Sequence, residues 1–338
     1  MRCVITGGGT GGHLAIARAL QEALAARGHE ALFVGSTSGQ DRMWFADHSG
    51  FSHVYFLATT GVVNRKGWGR AAALWRIFKA FLQARRILKQ HRADAVISVG
   101  GFSAAPAALA AVSRGTPLFI HEQNAVSGRL NRLLRPFAKR FFSSYDPASP
   151  VRDYPVSGEF FKRARVRSSV KTVIFLGGSQ GAAFINDLAL SVAPRLRERG
   201  IGIIHQCGER DFGRVQAAYA ERGVEAELYG FTKELPALIE RSDLAVSRAG
   251  ASTLWELCAS GIPALYVPYP HAAADHQYHN ARFLVEQGLG WCERQGEGVE
   301  GLFLTLLDEE LQTCSRALME LCHPEGAERM VKVIEEQL

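Results

Sequence analysis

The stretch from His48 to Ala93 contains no Asp or Glu. The imbalance extends to the halves of the chain. Residues 1–160 contain 20 basic and 9 acidic residues, a net charge of +11, whereas residues 161–338 contain 19 and 24, a net charge of −5. A basic half beside a mildly acidic half predicts that the first half meets an anionic partner.

Paired cysteines, long apolar runs and targeting signals are also absent. The six cysteines form no CxxC pair, and no Cys/His group has zinc-ligand spacing, so reduced thiols and no metal site are expected. No apolar run reaches the roughly 18 residues of a spanning helix. The opening RCVIT lacks the features of a signal peptide. We therefore expect a cytoplasmic enzyme whose membrane contact is at most peripheral.

Short apolar stretches alternate with helical periodicity along the chain. RCVIT (2–6), LAIARALQEALAARG (14–28) and EALFVGS (30–36) predict a strand, a helix and a strand, with glycines after the first strand. Further strands are predicted at 53–58, 94–101, 117–123 and 140–144. The pattern restarts at 171–196 and continues with strands at 201–208, 226–231, 243–250 and 262–270. Such alternation is typical of doubly wound parallel sheets, here two of them.

The junction between the two predicted domains falls in an aperiodic stretch rich in Pro, Ser and Arg, at about 150–168. We predict an N-terminal Rossmann-like domain over 1–157 and a C-terminal one over 158–324. The final amphipathic helix, 325–338, is predicted to dock on the first domain.

Gly7, Gly9 and Gly12 match G-x-G-x-x-G between a predicted strand and a predicted helix. The pattern brings backbone N–H groups and a helix N-terminus close to an anion. A nicotinamide site requires an acid at the end of the second strand, which here ends in Val-Gly-Ser. A Walker loop ends in Gly-Lys-Ser/Thr, and this turn ends in Gly-Gly-His. Both of those classes are therefore disfavoured.

A second glycine turn, 177–181, adds the hydroxyl of Ser179. Two such turns at the carboxyl ends of facing sheets would line a cleft with phosphate-binding groups, one phosphate at each turn. The alternative is that both turns are tight structural connections. No D-x-D triplet occurs, so a metal-dependent sugar-nucleotide site is not expected.

Two polar features adjoin the predicted strand ends. His13 lies in the first turn of a predicted helix, where the helix dipole disfavours the imidazolium and leaves a neutral ring able to accept a proton. It is a candidate general base, with a capping or packing histidine as the alternative. The run HEQN (121–124) ends an apolar strand and predicts side chains that enter a cleft; a polar turn without a role is the alternative.

The acid-free stretch contains nine basic residues. Six of them alternate with aromatic and aliphatic residues in WGRAAALWRIFKAFLQARRILKQ (68–90), which predicts an amphipathic helix. This composition is typical of a surface that lies on anionic lipid. Core packing alone would also explain Leu74, Ile77, Phe78 and Phe81. Nucleic acid is not expected as a partner, because no helix-turn-helix, RRM or KH signature is present.

Seven motifs in order along nearly the whole chain resemble the MurG family of bacterial peptidoglycan N-acetylglucosaminyltransferases. They are TGGGTGGH (6–13), VGGFSAAP (99–106), HEQN (121–124), GGSQGA (177–182), SRAGASTLWE (247–256), GIPALYVPYP (261–270) and DHQYHNA (275–281). The combination is far more specific than either glycine turn alone.

The resemblance implies a GT-B fold of two Rossmann-like domains facing a cleft. It implies an N-domain that binds the acceptor lipid I and a C-domain that binds UDP-N-acetylglucosamine (UDP-GlcNAc). The implied reaction is an inverting transfer that gives lipid II in peptidoglycan synthesis and requires no cofactor and no metal. The implied location is the cytoplasmic face of the inner membrane, with peripheral contact to its anionic surface.

The resemblance also implies site residues. Facing the donor sugar and diphosphate would be Thr10, Gly11 and Gly12, with Asn124 on the sugar, Ser179 near the phosphates and Thr232 beside the uracil. A helix N-terminus under the diphosphate would comprise Ala251, Ser252, Thr253, Leu254, Trp255 and Glu256, the last accepting from the ribose hydroxyls. His276 and Gln277 would contact the sugar.

The sequence departs from the family pattern at two places. The family's hydrophobic-x-Pro step after GGH is Leu14-Ala15-Ile16 here, which affects the predicted pose of His13. The family's Gly-Asn-Pro-hydrophobic-Arg motif reads Gly-Glu-Phe-Phe-Lys at 158–162, so Lys162 would keep the charge of the arginine but not its bidentate fork.

We hypothesise that His13 takes a proton from the acceptor hydroxyl, or orients it, as that hydroxyl attacks the anomeric carbon of the donor. The sequence leaves three rival functions open. They are a UDP-GlcNAc 2-epimerase, a nicotinamide-dependent oxidoreductase and a non-catalytic membrane scaffold.

Overall fold

The structure is a computed structural model that describes residues 1–47, 50–59, 68–177 and 182–338; for 68–72 and 74 it describes only the helical backbone. The chain divides into two compact units. Unit 1 comprises 1–156 with 325–338, and unit 2 comprises 157–324.

Unit 1 is built on a six-stranded parallel sheet in the order β3-β2-β1-β4-β5-β6. Its strands are β1 (Arg2–Gly7), β2 (Glu30–Ser36), β3 (His53–Leu57), β4 (Ala95–Gly100), β5 (Leu118–Glu122) and β6 (Arg140–Ser143). Its helices before the junction are α1 (Gly11–Ala26), α2 (Asp41–Phe45), α3 (Trp68–Gln90), α4 (Ala105–Arg114) and α5 (Arg129–Leu134).

Unit 2 repeats this plan with the strand order β12-β11-β10-β7-β8-β9. Its strands are β7 (Thr172–Leu176), β8 (Gly202–Gln206), β9 (Glu227–Tyr229), β10 (Leu244–Ser247), β11 (Ala264–Tyr266) and β12 (Trp291–Cys292). Its helices are α6 (Gly158–Lys162), α7 (Ala183–Glu198), α8 (Phe212–Glu221), α9 (Leu235–Glu240), α10 (Ala251–Ala259), α11 (His276–Val285), α12 (Gly298–Leu306) and α13 (Gln312–Leu321). The prediction of two doubly wound parallel sheets is confirmed.

The last helix, α14 (Gly326–Glu335), returns to unit 1 and packs on α1. Glu335 accepts hydrogen bonds from the Arg27 guanidinium, at 2.6 and 3.0 Å, and its carboxylate lies 2.5 Å from Nε2 of His29. The start of the helix packs closely on the backbone of unit 1. A Cβ at Gly326 would lie 2.9 Å from the carbonyl oxygens of Asp153 and Tyr154.

Burial explains the strand positions. All six residues of β4 are buried, as are five of six in β1, because helices cover both faces of the sheet. Two details differ from the prediction. Helix α1 begins at Gly11 rather than at residue 14, with the Leu14 N–H donating to the Thr10 carbonyl at 3.3 Å. The two-residue β12 carries too little pattern to be predicted from sequence.

None of the helices in the described part of the chain combines the length and apolarity that crossing a bilayer requires.

Candidate functional site

The first glycine turn lies at the carboxyl end of β1 and packs backbone to backbone on the end of β4. The Gly8 N–H donates to the Gly100 carbonyl at 3.2 Å. A Cβ at Gly101 would lie 2.3 Å from the Gly8 carbonyl oxygen, so the approach requires glycine. The partly exposed ring of Phe102 lies against Gly9, where a Cβ would come within 2.6 Å of it.

His13 is the third residue of α1 and is partly exposed. Its Nδ1 lies 2.8 Å from the Thr10 hydroxyl, and its Nε2 lies 2.9 Å from Nε2 of Gln123. With the amide in this orientation Gln123 donates, so His13 Nε2 accepts and Nδ1 carries the proton towards Thr10. This assignment of the amide corresponds to the tautomer in which Nε2 can accept a proton. A substrate hydroxyl would reach Nε2 by replacing the amide of Gln123, a contact that the sequence did not predict.

The end of β5 separates into a buried and an accessible pair of polar side chains. Glu122 is buried and accepts from the N–H groups of Asn124 and Gly128, at 3.1 and 2.9 Å, and from the Asn131 amide at 2.9 Å. Its carboxylate therefore builds the turn that carries Gln123 and Asn124, both partly exposed. The expectation that all four HEQN side chains enter a ligand space is wrong for the first two.

His121 is fully buried with its ring edge-on to Tyr154, 5.5 Å between centroids. Burial, reinforced by the charge of His13, lowers the pKa of His121 to about 3. It is therefore neutral at physiological pH and packs beneath the site.

An acid that sequence reasoning missed does reach the first glycine turn. Asp41, the first residue of α2, is fully buried, and its carboxylate accepts from the N–H groups of Gly9 at 2.6 Å and Ser36 at 2.7 Å. The ribose-binding acid of a nicotinamide site was expected at the end of β2 itself, five residues earlier in the chain. Since both oxygens of Asp41 are engaged by backbone, this acid is not presented to a ribose.

In unit 2 the glycine turn follows β7, and Ser179 lies outside the described residues. The base of the turn is described. Asn186 donates to the Cys207 carbonyl at 3.1 Å and to Asp211 at 2.6 Å, and its amide oxygen lies 3.0 Å from Nε2 of His205. Burial lowers the pKa of His205 to about 4, so this histidine is neutral and structural.

Helix α10 begins at the carboxyl end of β10, with extended Gly250 as its N-cap. Ser252 and Thr253 are partly exposed, and Ala251 is buried. The side chains of Leu254 and Trp255 belong to the core, at 0 and 1 % exposure, so only their backbone groups are suited to a ligand. The N–H groups and the dipole of the first turn favour an anion at this helix end.

Glu256 lies one turn into α10 and is partly exposed. Burial alone raises the pKa of its carboxyl to about 7, and the described residues donate no hydrogen bond to it. A desolvated carboxyl with unfilled acceptor capacity suits a ligand with paired hydroxyl donors.

The start of α11 rests on a strained segment. Ala274 and Asp275 have φ angles of 52° and 53°, in the left-handed region that side chains other than glycine rarely adopt. The Asp275 carboxylate pairs with Arg294 at 2.6 Å. At the helix start His276 lies 2.9 Å from the Ala273 carbonyl, and Gln277 accepts from the Tyr269 N–H at 2.9 Å.

The structure brings α10 and α11 together. The Asn280 amide donates to the Ala249 carbonyl at 3.1 Å, and the Trp255 and Phe283 rings lie 6.1 Å apart. Thr232 is more remote, because it follows the edge strand β9, three strands from β10 or roughly 14 Å. Lys162 ends α6, which contacts α10, but its side chain is 73 % exposed and pairs with Glu159 at 2.7 Å.

Helix α3 has one face in the core and another in solvent. Ala73, Ala80, Ala84, Ile87 and Leu88 are buried, whereas Trp75, Phe78 and Leu82 are 57, 46 and 41 % exposed. The Trp75 and Phe78 rings stack at 5.6 Å, and Lys79 lies 5.4 Å from the centre of Trp75. Core packing therefore does not account for Phe78. The basic residues 65 and 66 lie outside the described residues.

Within the described ranges, no group of three or more His, Cys, Asp or Glu side chains could hold a metal ion.

Comparison with known proteins identifies the class. The family model "Glycosyltransferase family 28 N-terminal domain" matches residues 3–143, and "Glycosyltransferase family 28 C-terminal domain" matches 172–337. A crystal structure of Acinetobacter baumannii MurG superposes with a TM-score of 0.80 at 29 % identity, covering 99 % of each chain. Fold and family models together define a glycosyltransferase of the GT-B type.

Similar curated proteins narrow the class. The UDP-N-acetylglucosamine–N-acetylmuramyl-(pentapeptide) pyrophosphoryl-undecaprenol N-acetylglucosamine transferase of Sulfurimonas denitrificans is 61 % identical, over 98 % of this chain and 97 % of that one. The protein of the same name from Wolinella succinogenes is 53 % identical over 99 % of each. The chain belongs to glycosyltransferase family 28 and, within it, to the MurG family. A Listeria monocytogenes structure titled as a possible UDP-N-acetylglucosamine 2-epimerase, 12 % identical with a TM-score of 0.69, shares the fold alone.

Proposed function

We propose that this protein transfers N-acetylglucosamine from UDP-GlcNAc to the C4 hydroxyl of lipid I, with inversion, and so makes lipid II. The observation that carries the proposal is the 61 % identity, over nearly the full length of both chains, to a transferase named for this reaction. The side chains at the strand ends of each unit supply the chemistry that the reaction requires.

Unit 2 is assigned the donor. The N-terminus of α10 would receive the diphosphate through the backbone of 251–254 and the hydroxyls of Ser252 and Thr253. Glu256 would accept from the ribose hydroxyls, and His276 and Gln277 would contact the sugar. The strain at Ala274 and Asp275 supports this assignment, because such strain concentrates at ligand-binding segments. Ser179, Thr232 and Lys162 remain candidate contacts to phosphate and uracil.

Unit 1 is assigned the acceptor and the proton. The acceptor hydroxyl would displace the Gln123 amide and donate to His13 Nε2, while Thr10 holds Nδ1. As the hydroxyl oxygen bonds to the anomeric carbon, its proton passes to Nε2 and the bond from that carbon to the β-phosphate oxygen breaks. UDP leaves with the electron pair, stabilised at the α10 N-terminus. Gly11, Gly12 and Asn124 are assigned to the donor sugar beside His13.

The exposed face of α3 is assigned to the cytoplasmic surface of the inner membrane. Stacked Trp75 and Phe78 would enter the interfacial region, with Arg76, Lys79 and Arg86 on anionic headgroups. A membrane-bound acceptor and a unit with this surface would meet without a spanning helix.

The carboxylates of unit 1 do not favour the 2-epimerase alternative. Carboxylates at the sugar would be required, but Asp41 and Glu122 are both buried and engaged by backbone N–H groups.

The test is transfer of radiolabel from UDP-GlcNAc to a lipid I analogue in EDTA. Label in the lipid supports a transferase that needs no divalent cation. Transfer only after Mg²⁺ is restored would contradict the metal-free proposal. Donor binding without transfer would favour the scaffold, and conversion of the free donor to its C2 epimer would favour the epimerase.

A further inference from the structure

The carboxylate of Asp41 occupies the inside of the first glycine turn. One oxygen accepts from the Gly9 N–H at 2.6 Å and the other from the Ser36 N–H at 2.7 Å, and the side chain has no exposed surface. Short hydrogen bonds from backbone N–H groups to a carboxylate are the arrangement by which glycine turns bind anionic ligands. In this unit the anion is part of the chain.

The surrounding glycines are shaped by the same carboxylate. A Cβ at Gly8 would lie 2.6 Å from both oxygens of Asp41, and a Cβ at Gly35 would lie 2.7 Å from one of them. Gly9, which donates its N–H to Asp41, has a φ of +86°, a conformation that favours glycine. Gly8 in the turn and Gly35 in β2 therefore have no room for a side chain beside this internal acid.

We propose that Asp41 is a resident anion that makes the first glycine turn unsuited to phosphate and fixes Thr10 and His13 for a hydroxyl substrate. The Gly9 N–H is engaged, and the Asp41 carboxylate lies beneath the turn. Burial raises the pKa of this carboxyl, and the hydrogen bonds from the Gly9 and Ser36 N–H groups oppose that rise and favour the ionised form. A ligand phosphate there would meet like-charge repulsion at short range. Asp41 is a positioning and specificity residue, because it acts through the backbone of the turn.

The inference corrects the expectation that each glycine turn would hold one phosphate. It leaves the donor diphosphate to unit 2. The first turns of α1 and α10 both lack an acid, so the proposal depends on the buried carboxylate that accepts from the turn of unit 1. It rests on the proposed function only in taking the donor to be a nucleoside diphosphate sugar. The hydrogen bonds of Asp41 do not depend on that assignment.

The test uses the full chain with Asp41→Ala and Asp41→Asn, and Asp47→Ala as the matched control. Asp47 is an exposed acid six residues further along. Inorganic phosphate is titrated against thermal unfolding with UDP present in excess, so that the unit 2 site is filled. Formate, which matches the lost carboxylate in charge and shape, is titrated in parallel.

We expect formate and phosphate to stabilise Asp41→Ala against thermal unfolding. Phosphate should bind this variant at least about tenfold more tightly than the wild type, because repulsion from a buried charge at short range can change the affinity by that factor. Formate should compete with phosphate. Asp41→Asn should give a smaller gain, because its amide oxygen still accepts from Gly9. The wild type and Asp47→Ala should respond weakly and alike.

Turnover separates positioning from folding. Formate should raise kcat of Asp41→Ala several-fold, phosphate should inhibit that variant, and KM for UDP-GlcNAc should stay within about twofold. Equal phosphate responses in Asp41→Ala and the wild type would overturn the proposal. If Asp41→Ala does not fold, the phosphate response of Asp41→Asn decides in the same way. The phosphate titration needs no acceptor, so its outcome holds even if the protein fails to transfer the sugar.

Discussion

Units 1 and 2 share a strand order, and in each sequence a glycine turn follows the central strand, yet the described residues place their acids differently. In unit 1 a buried acid, Asp41, fills the turn, and a histidine follows in the first helical turn. In unit 2 the N-terminus of α10 has no acid in its first turn, and Glu256 has a raised pKa.

The difference shows that the shared topology places turns and helix starts at the strand ends, whereas a few side chains there determine which ligand each unit can bind. Filling the turn with an internal carboxylate suits a substrate that presents a hydroxyl, rather than a phosphate, at this point. Leaving the helix end open suits a diphosphate. The predictions below test this division between a proton-handling unit and a nucleotide-binding unit, from the largest expected effect to the smallest.

The largest effect is expected from His13→Ala. Loss of a general base lowers kcat by about 10²–10⁴-fold. The dissociation constant of UDP should stay within about twofold, because the proposal assigns the nucleotide to unit 2. Turnover with a lipid I analogue and calorimetric titration of UDP measure the two quantities. His53→Ala, an exposed histidine at the first residue of β3, is the control and should keep full activity. Near-normal turnover of His13→Ala would contradict the hypothesis that His13 accepts the proton.

Glu256→Gln should have the converse effect. Charge-assisted hydrogen bonds to a diol are worth about 1.5–3 kcal/mol, so UDP binding should weaken by roughly 10–100-fold. Inorganic pyrophosphate, which lacks the ribose, should bind the variant and the wild type with equal affinity. Equal loss for both ligands would instead indicate a damaged helix N-terminus.

The same carboxyl gives a pH dependence with a definite sign. Its pKa is raised to about 7, and binding requires the ionised form, so UDP affinity should be full above pH 7 and fall about tenfold per unit well below it. For folding the sign is opposite. A raised carboxyl pKa means that stability is fully present below the ordinary pKa and is lost as the pH rises through 7. Glu256→Gln should therefore unfold at a higher temperature than the wild type at pH 8, and its UDP affinity should not change between pH 6 and 8.

Membrane attachment should be confined to unit 1. Trp75→Ala with Phe78→Ala removes two exposed rings and should lower binding to vesicles containing anionic lipid by at least about tenfold. Binding by the wild type should weaken with salt, because the basic residues of α3 contribute through screened attraction. Val166→Ala, at an exposed apolar position of unit 2, is the control for sedimentation with vesicles. An equal loss of vesicle binding in the Trp75/Phe78 double variant and in Val166→Ala would mean that the membrane contact does not lie on α3.

Most of the fold could be predicted from the sequence. Strands buried on both faces are near-continuous apolar runs, and β2 was predicted to the residue. The start of α1 was misplaced because Gly11 and Gly12 have low helix propensity, yet first-turn residues need little of it. The acid-free composition of 48–93 indicated that α3 has a surface suited to an anionic partner, and α3 does have an exposed face.

The site was less predictable, because its important contacts join residues far apart in sequence. His13 could be proposed from its place after the glycines, but Gln123 lies 110 residues away. Asp41 was missed because an acid is expected at the end of β2, and a short helix carries this one back to the turn. The motif 247–256 does not distinguish side chains that are buried from side chains that are accessible. In the structure Leu254 and Trp255 are buried, whereas Ser252 and Thr253 are partly exposed.

The smallest effect is expected at Lys162, an assigned contact whose side chain is largely exposed to solvent. Its side chain is 73 % exposed and already forms an i,i+3 pair with Glu159 at 2.7 Å, and exposed pairs of this kind contribute about 0–1 kcal/mol. Lys162→Ala should therefore change UDP affinity by no more than about threefold, as measured by titration beside Glu159→Ala, which frees the lysine. A loss comparable to that of Glu256→Gln would place Lys162 among the nucleotide contacts and would mean that donor binding rearranges the end of α6.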